Sequence, residues 1–381
     1  MKRMGRAVLA ANLSMMTLAA PAHAWIPIGG GEKPKLEIET RFMFWGVSSG
    51  EELGAAVAVP PQAENVQDFL IRRARVLFRY RPTDSLELYL QAGQDNYGAK
   101  IVNDEAGFRV KDFYVNWKAL EPFQVTAGQF KVPFLRQNLE SGFNQLLVDR
   151  TVVTALRPAR DGSRDVGVMG WGNAGGFQYR AALFDGSDQE DLNSTSSPRG
   201  SGRIAWNWGA RETGLSYSGT TVGKSKLLQL GLQADVQSDR VDPLDLGFTT
   251  DLRDYGAWAF DAYFDCPFGE GWAVTAEGAW IERRDDYQDP MLGSRYLDAF
   301  YFQAGLLLPM EMKGTRLQVA GRLDSLDSHR PSARAGSKAG TLGLSWFIKG
   351  HDQKIQLDYT HRTEQPKLDN DVVRLSLVMV F

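Results

Sequence analysis

The sequence predicts an all-β chain that closes into a transmembrane antiparallel barrel of about 16 strands. Three observations predict it. Segments of about ten residues alternate apolar and polar at period two. The connections between them alternate short and long. No apolar run reaches the ~18 residues that a membrane-crossing helix needs; beyond the first two dozen residues, stretches such as Leu306-Leu307-Leu308-Pro309-Met310 fall far short of it. With 43% hydrophobic and 23% charged residues the composition alone is that of a soluble protein, so the prediction rests on pattern.

At the start of the chain, Lys2, Arg3 and Arg6 precede the uncharged, mostly apolar run from Val8 to Ala20. Ala22-His23-Ala24 then fits a small-x-small cleavage site, so residues 1–24 are expected to be a cleaved signal peptide and Trp25 the first mature residue. The apolar run is too short to act as an anchor. Cleavage removes three basic residues and no acidic one, which leaves the rest more acidic than the net −3 of the whole chain. That balance excludes a global nucleic-acid-binding charge, and no nucleic-acid partner is expected. The one cysteine, Cys266, makes no internal disulfide and no metal cluster. Neither a metal nor a cofactor is expected.

The strands follow in order. In 35–46, Leu36, Ile38, Thr40, Phe42 and Phe44 share one face and Lys35, Glu37, Glu39 and Arg41 the other. In 84–94, Leu86, Leu88, Leu90 and Ala92 alternate with Glu87, Tyr89 and Gln91. The same alternation recurs in 226–238, 271–283, 314–326 and 353–363. Tight turns are expected at 81–84, 119–122, 173–176, 267–270 and 349–352. Long connections are expected at 47–66, 95–106, 132–163, 186–200, 239–252, 284–295 and 327–337. Short turns at one end and long loops at the other mark an outer-membrane barrel. Residues 213–220 also look like a strand, but counting them would make the number odd, so 210–225 is read as a long or partly paired turn region; an 18-strand barrel is the alternative.

In hydrocarbon every backbone group must be paired, so a sheet crosses only if it closes. About 16 strands leave an aqueous channel, lined by the polar face of each strand. Trp45, Tyr80, Trp117, Trp206, Trp208, Trp272, Trp280 and Phe381 lie near strand ends, where an aromatic girdle sits. The last strand places Val373, Leu375, Leu377, Met379 and Phe381 on one face and ends on the aromatic. This resembles the terminal signal that the barrel-assembly machinery reads. The chemically suggestive stretch is 71–81, where Ala74, Val76, Phe78 and Tyr80 face lipid and Arg73, Arg75, Arg79 and Arg81 face the lumen as a ladder. Guanidinium stays charged and binds oxyanions in a fork, and rings of arginine select anions in pores. The alternative is that these arginines pair with carboxylates such as Glu87 and Asp112 and brace the wall; the two roles are compatible.

Arg72-Arg73-Ala74-Arg75, Lys111 to Val115, Gly128 to Phe134, Arg150 and Arg160 to Val168 together resemble the phosphate-selective porin O and P family. The resemblance implies that residues 25–381 form a trimeric outer-membrane porin of 16 strands, with loops folded inward. It implies a constriction built partly from 132–163, whose positive charge comes from Arg136, Arg150, Arg157 and Arg160, flanked by Lys131 and Arg164. It also implies small anionic solutes, phosphate or polyphosphate among them, and outer-membrane lipid and lipopolysaccharide as neighbours. The family's phosphate-binding lysines are not evident in this loop. Asp149, Asp161 and Asp165 dilute its charge, and Arg–Asp pairs that merely pin the loop to the wall are the bland alternative.

Two other functions compete. An outer-membrane lipid hydrolase would need a serine nucleophile and a histidine base. His329, His351 and His361 are the histidines after residue 24, and no Gly-x-Ser-x-Gly accompanies them; no enzymatic activity is expected. A structural or adhesive barrel would be plugged and conduct nothing. The acidic stretch 185–191 offers hard oxygen ligands that could hold Ca²⁺ or bridge lipopolysaccharide cations, but it lacks the spacing of a calcium loop and reads as a solvated loop.

Overall fold

The computed structural model describes residues 25–28, 35–50, 66–99, 107–156, 163–186, 197–241, 252–287, 294–312, 314–330, 333–365 and 368–381. The strands are β1 (Ile26–Ile28), β2 (Lys35–Ser49), β3 (Val66–Arg81), β4 (Leu86–Tyr97), β5 (Arg109–Leu120), β6 (Phe123–Lys131), β7 (Arg164–Ala174), β8 (Phe177–Phe184), β9 (Arg199–Gly209), β10 (Leu227–Val241), β11 (Leu252–Phe268), β12 (Trp272–Tyr287), β13 (Ser294–Met312), β14 (Thr315–Arg330), β15 (Ala333–Lys349), β16 (Gln353–Gln365) and β17 (Leu368–Val380). β2 to β17 are the 16 strands of a closed antiparallel barrel. Each strand pairs with the next, and β17 closes on β2 with Leu375 opposite Gly46. The terminal Phe381 exchanges both backbone hydrogen bonds with Thr40, each 2.9 Å. Beyond that point on the same edge of β2 sits the short β1, with Pro27 opposite Glu37. Among the described residues, each strand of the wall therefore has a hydrogen-bonded neighbour on both sides, as a membrane sheet requires.

The alternation places side chains as expected. Along β17, Val373 and Leu375 are exposed while Val372, Arg374 and Ser376 are buried toward the lumen. Outward aromatics gather at the short-turn end (Tyr80, Trp117, Trp206, Trp208) and again at the opposite end (Phe69, Trp258, Trp280). Trp45 departs from the girdle. It is 3% exposed and points inward, because its odd position shares the face of Glu39 and Arg41. The connections also differ in part. The expected long segment 327–337 is nearly all strand, since β14 runs to Arg330 and β15 starts at Ala333. The expected connection 284–295 narrows likewise, with β12 reaching Tyr287 and β13 starting at Ser294. Polar composition read as loop, but cross-strand backbone pairing continues past the apolar band and carries these strands upward. Residues 210–226 are a connection, since β9 and β10 pair directly with each other, Gly209 opposite Leu227.

One position ties sequence to wall curvature. Gly128 on β6 has φ +128°, and a Cβ there would lie 2.3 Å from the Phe113 carbonyl oxygen. Gly128→Ala should lower barrel stability by about 1–3 kcal/mol. Thermal unfolding followed by circular dichroism would read this, and an unchanged midpoint would show that β5 and β6 can spread.

Candidate functional site: a basic wall facing an inward-folded loop

The segment after β6 holds Phe134, Leu135, Leu139, Phe143, Leu146, Leu147 and Val148, all 0–4% exposed. Such residues cannot lie in water without cost, and the space available to them is the lumen. A four-residue helix, α1 (Arg136–Leu139), follows Leu135, which turns with φ 65°. A 3₁₀ turn (Val152–Leu156) packs on β13 and β14. Phe134, Leu135 and Val153 join inward Tyr255, Ala257, Ala259, Ile281 and Leu297 in one cluster, and Phe143 and Val148 join Met43, Trp45, Leu70 and Val372 in another. The lumen is therefore partly an apolar core, whereas uniformly polar strand faces had been expected.

The loop is fastened by carboxylates of the far wall. Asp261 of β11 accepts the Arg136 backbone N–H at 3.0 Å, and Asp358 of β16 accepts that of Val148 at 3.2 Å. Asp324 of β14 accepts the Thr151 hydroxyl. From the other end of the barrel, residues 210–226 also fold inward. Asp265 accepts the Thr221 N–H at 2.8 Å, and the two inward segments meet in a parallel bridge, Glu140 with Tyr217. Arg136 locks that meeting. Its Nη2 donates to Glu212 and to the Ser218 carbonyl, each at 2.9 Å, and its guanidinium lies 3.6 Å from the centre of the Tyr263 ring.

The opposite wall is basic, and two bulges enrich it. Across β2 and β3 the register slips, so that Met43 faces Arg73 and Phe44 faces Ile71. Arg72 is the extra residue and turns inward beside Arg73. It donates to Asn96 at 2.8 Å and stacks 4.8 Å above Trp45. A second slip between β4 and β5, with Gln91 opposite Asp112 but Ala92 opposite Val110, buries both Lys111 and Asp112. Bulges commonly re-aim side chains in this way.

A cavity of about 590 Å³ lies between this wall and the loop. Ten basic side chains line it against three acidic ones, so it carries a strong positive bias. Arg75 is paired with Asp95. Arg164 forks onto Asp112 at 3.1 and 3.0 Å. Other cations face neutral partners. Arg73 donates to the Gly142 carbonyl at 3.2 Å and to Met43 Sδ. Arg150 donates to the carbonyls of Gln137 and Glu140 at 3.1 and 2.7 Å. Arg180 holds the carbonyls of Leu215 and Gly214 at 3.0 and 2.8 Å. Carbonyl dipoles hold these cations in place without cancelling their charge. Burial pulls the Arg150 pKa down to about 10, which still leaves it protonated at neutral pH. A second cavity of about 290 Å³ shares Glu87, Asn116 and Trp171 with the first and continues it past Arg81 toward the short-turn end.

Of the ten residues singled out in the sequence, Arg73, Arg75, Arg79, Lys131, Arg150 and Arg164 line the main cavity and Arg81 the second. Arg79 and Arg81 both reach Glu37 and Glu87 at 3.0–3.6 Å. Lys131 donates to the Leu139 and Glu140 carbonyls. Arg136 lies outside both linings, enclosed in the junction of the two inward segments. Arg157 and Arg160 lie outside the described residues, as do residues 1–24. Sequence reading missed Arg41, Arg72, Lys111 and Arg180. Alternation alone would have found Arg41 and Arg180, whereas Arg72 and Lys111 needed the bulges.

The base of the 210–226 segment rests on a histidine. His351 Nε2 lies 2.8 Å from the Thr220 carbonyl oxygen, so the neutral ring donates there. Burial, then nearby Lys354, pulls its pKa down to about 3. A lowered folded-state pKa means stability present above about pH 6.5 and lost progressively as pH falls toward 3. Current recordings should therefore show looser gating or added noise on acidification, and His351→Gln should remove that part of the pH dependence. Identical pH profiles for the two proteins would defeat the assignment.

Comparison with known proteins gives a consistent picture. A family model described as phosphate-selective porin O and P matches residues 57–379. An uncharacterized protein of Aquifex aeolicus (strain VF5) is 26% identical over 347 residues, covering 82% of this chain and 81% of its own. Among solved structures, the anion-selective porin from Comamonas acidovorans aligns with TM-score 0.58 at 12% identity over 92% of this chain and 100% of that one. Salmonella typhi OmpF in complex with daunomycin aligns with TM-score 0.62 at 12% identity, over 93% and 100%. In-vitro folded OmpT of Vibrio cholerae, in a trimer form, aligns with TM-score 0.55 at 10% identity, over 91% and 99%. At these identities the structures share the barrel fold with this chain.

Proposed function

Since the chain belongs to the phosphate-selective porin O and P family and is an outer-membrane porin, we propose that its channel prefers small anions. The observation that carries this reading is the unequal use of charge across the lumen. Carboxylates on β11, β14 and β16 are occupied by the inward segments and by Arg203, Arg322 and Arg374. The cations of β2 to β8 face the cavity. A solute passing between loop and wall therefore meets a net positive field in a confined, low-dielectric space, where such a field is felt strongly. The −3 net charge of the chain does not oppose this, because selectivity follows the local field.

Reversal potentials in asymmetric KCl across a planar bilayer test the reading. Chloride preference is the expected result, and potassium preference would end it. Chloride conductance with phosphate, polyphosphate and sugar competitors extends the test to solutes. A barrel that inserts but passes no ion would instead favour the structural or adhesive role. Residues 1–24 direct export, and Trp25, the first residue after them, packs near Arg79 at 3.9 Å. The Phe381 strand engages the assembly machinery, and three copies associate among lipid and lipopolysaccharide, in line with the trimer form of the Vibrio protein.

A further inference from the structure

We infer that the preferred solutes are aromatic carboxylates rather than bare inorganic oxyanions; this rests on the anion reading above and deepens it. The cavity has two chemically unlike surfaces. One is the guanidinium surface of Arg72, Arg73, Arg75 and Arg164. The other is a run of rings on the neighbouring strands. Tyr89 of β4 stacks on Tyr114 of β5 with centres 5.0 Å apart and planes 20° apart. Phe130 of β6 lies behind Tyr114 at 6.5 Å, edge-on. Both tyrosines are only partly buried, whereas Phe130, Met169 and Trp171, in the cluster that Tyr114 packs against, are 0–4% exposed. Two phenol rings are thus presented to the cavity on a packed apolar backing.

An inorganic oxyanion carries its hydration on every side. It gains nothing from ring faces and loses water against them. A benzoate-like ion matches both surfaces: its carboxylate is drawn to a lining of ten basic against three acidic side chains, and its ring continues an offset stack. The volume agrees, since about 590 Å³ falls among cavities of about 300–1,000 Å³ that hold small organic molecules.

The test uses the full-length protein in planar bilayers, with reversal potential in a KCl gradient measured on the same channels. Benzoate should halve chloride current at a concentration about tenfold below that needed for acetate or inorganic phosphate. Tyr114→Ala should erase most of that benzoate-over-acetate advantage. Tyr89→Leu, which keeps an apolar side chain, should do so in part and serves if the first variant fails to fold. Arg75→Gln should weaken block by both carboxylates alike. Phosphate blocking as well as benzoate, in channels that still prefer chloride, overturns the aromatic assignment alone. Potassium preference in the gradient overturns the anion reading and this one with it.

Discussion

Arg73→Glu should shift the KCl reversal potential further toward potassium than any other single change in the basic wall. Arg73 has neutral partners, Gly142 O and Met43 Sδ, and among the described residues no carboxylate lies within ion-pair distance of it. The substitution removes a cation that no carboxylate directly pairs and adds an anion close to Arg72 and Arg150. Two unit charges change within a few ångströms of the permeation space, so the chloride-to-potassium permeability ratio should fall by about threefold to tenfold. The barrel should still fold, because the new carboxylate gains cationic neighbours. Arg75→Glu should act in the same direction with a smaller effect, since Arg75 already pairs with Asp95, which also pairs with Lys111 at 3.4 Å. Should both variants keep the wild-type reversal potential, this stretch of wall plays no part in selectivity.

Arg136→Ala should have the largest structural consequence. The side chain is fully buried and joins the loop after β6 to the 210–226 segment through Glu212 at 2.9 Å and Glu140 at 3.8 Å. Those carboxylates themselves resist burial: desolvation pushes Glu140 and Glu212 above the usual carboxylate range even with the arginine present. Removing the cation leaves buried carboxylates without their partner, a loss of about 3–5 kcal/mol. The loop is the element that spends this energy, because the strands of the wall are paired independently of it. Single-channel conductance should rise as the loop leaves the lumen, and chloride preference should fall as the confined cavity opens. Arg136→Lys should retain part of the closure, since it keeps charge but not the fork. Wild-type conductance in Arg136→Ala would show that the apolar clusters alone hold the loop.

The barrel was legible from residues 35–46, 84–94 and 353–363 because strand alternation is local: a residue's face follows from its neighbours' parity once the strand exists. The closing strand was legible for the same reason, and Val373, Leu375 and Phe381 do share the outer face. The basic stretch 71–81 could be found, and its inward face named, by that count. Parity fails wherever a bulge inserts a residue, which is why Arg72 and Lys111 were assigned to no site and why only the paired structure reveals them.

Period-two alternation and the spacing of the turns thus settled the closed wall and its two faces, since every unpaired backbone group in lipid forces closure and every other side chain must then meet water or hydrocarbon. They could not settle where the inward segments lie or which charges stay uncompensated. Those depend on contacts between residues more than a hundred positions apart, such as Arg136 with Asp261 and Val148 with Asp358. Folding alone brings them together: the loop buries its apolar residues against one wall, takes up carboxylates there, and leaves the opposite cations facing the cavity.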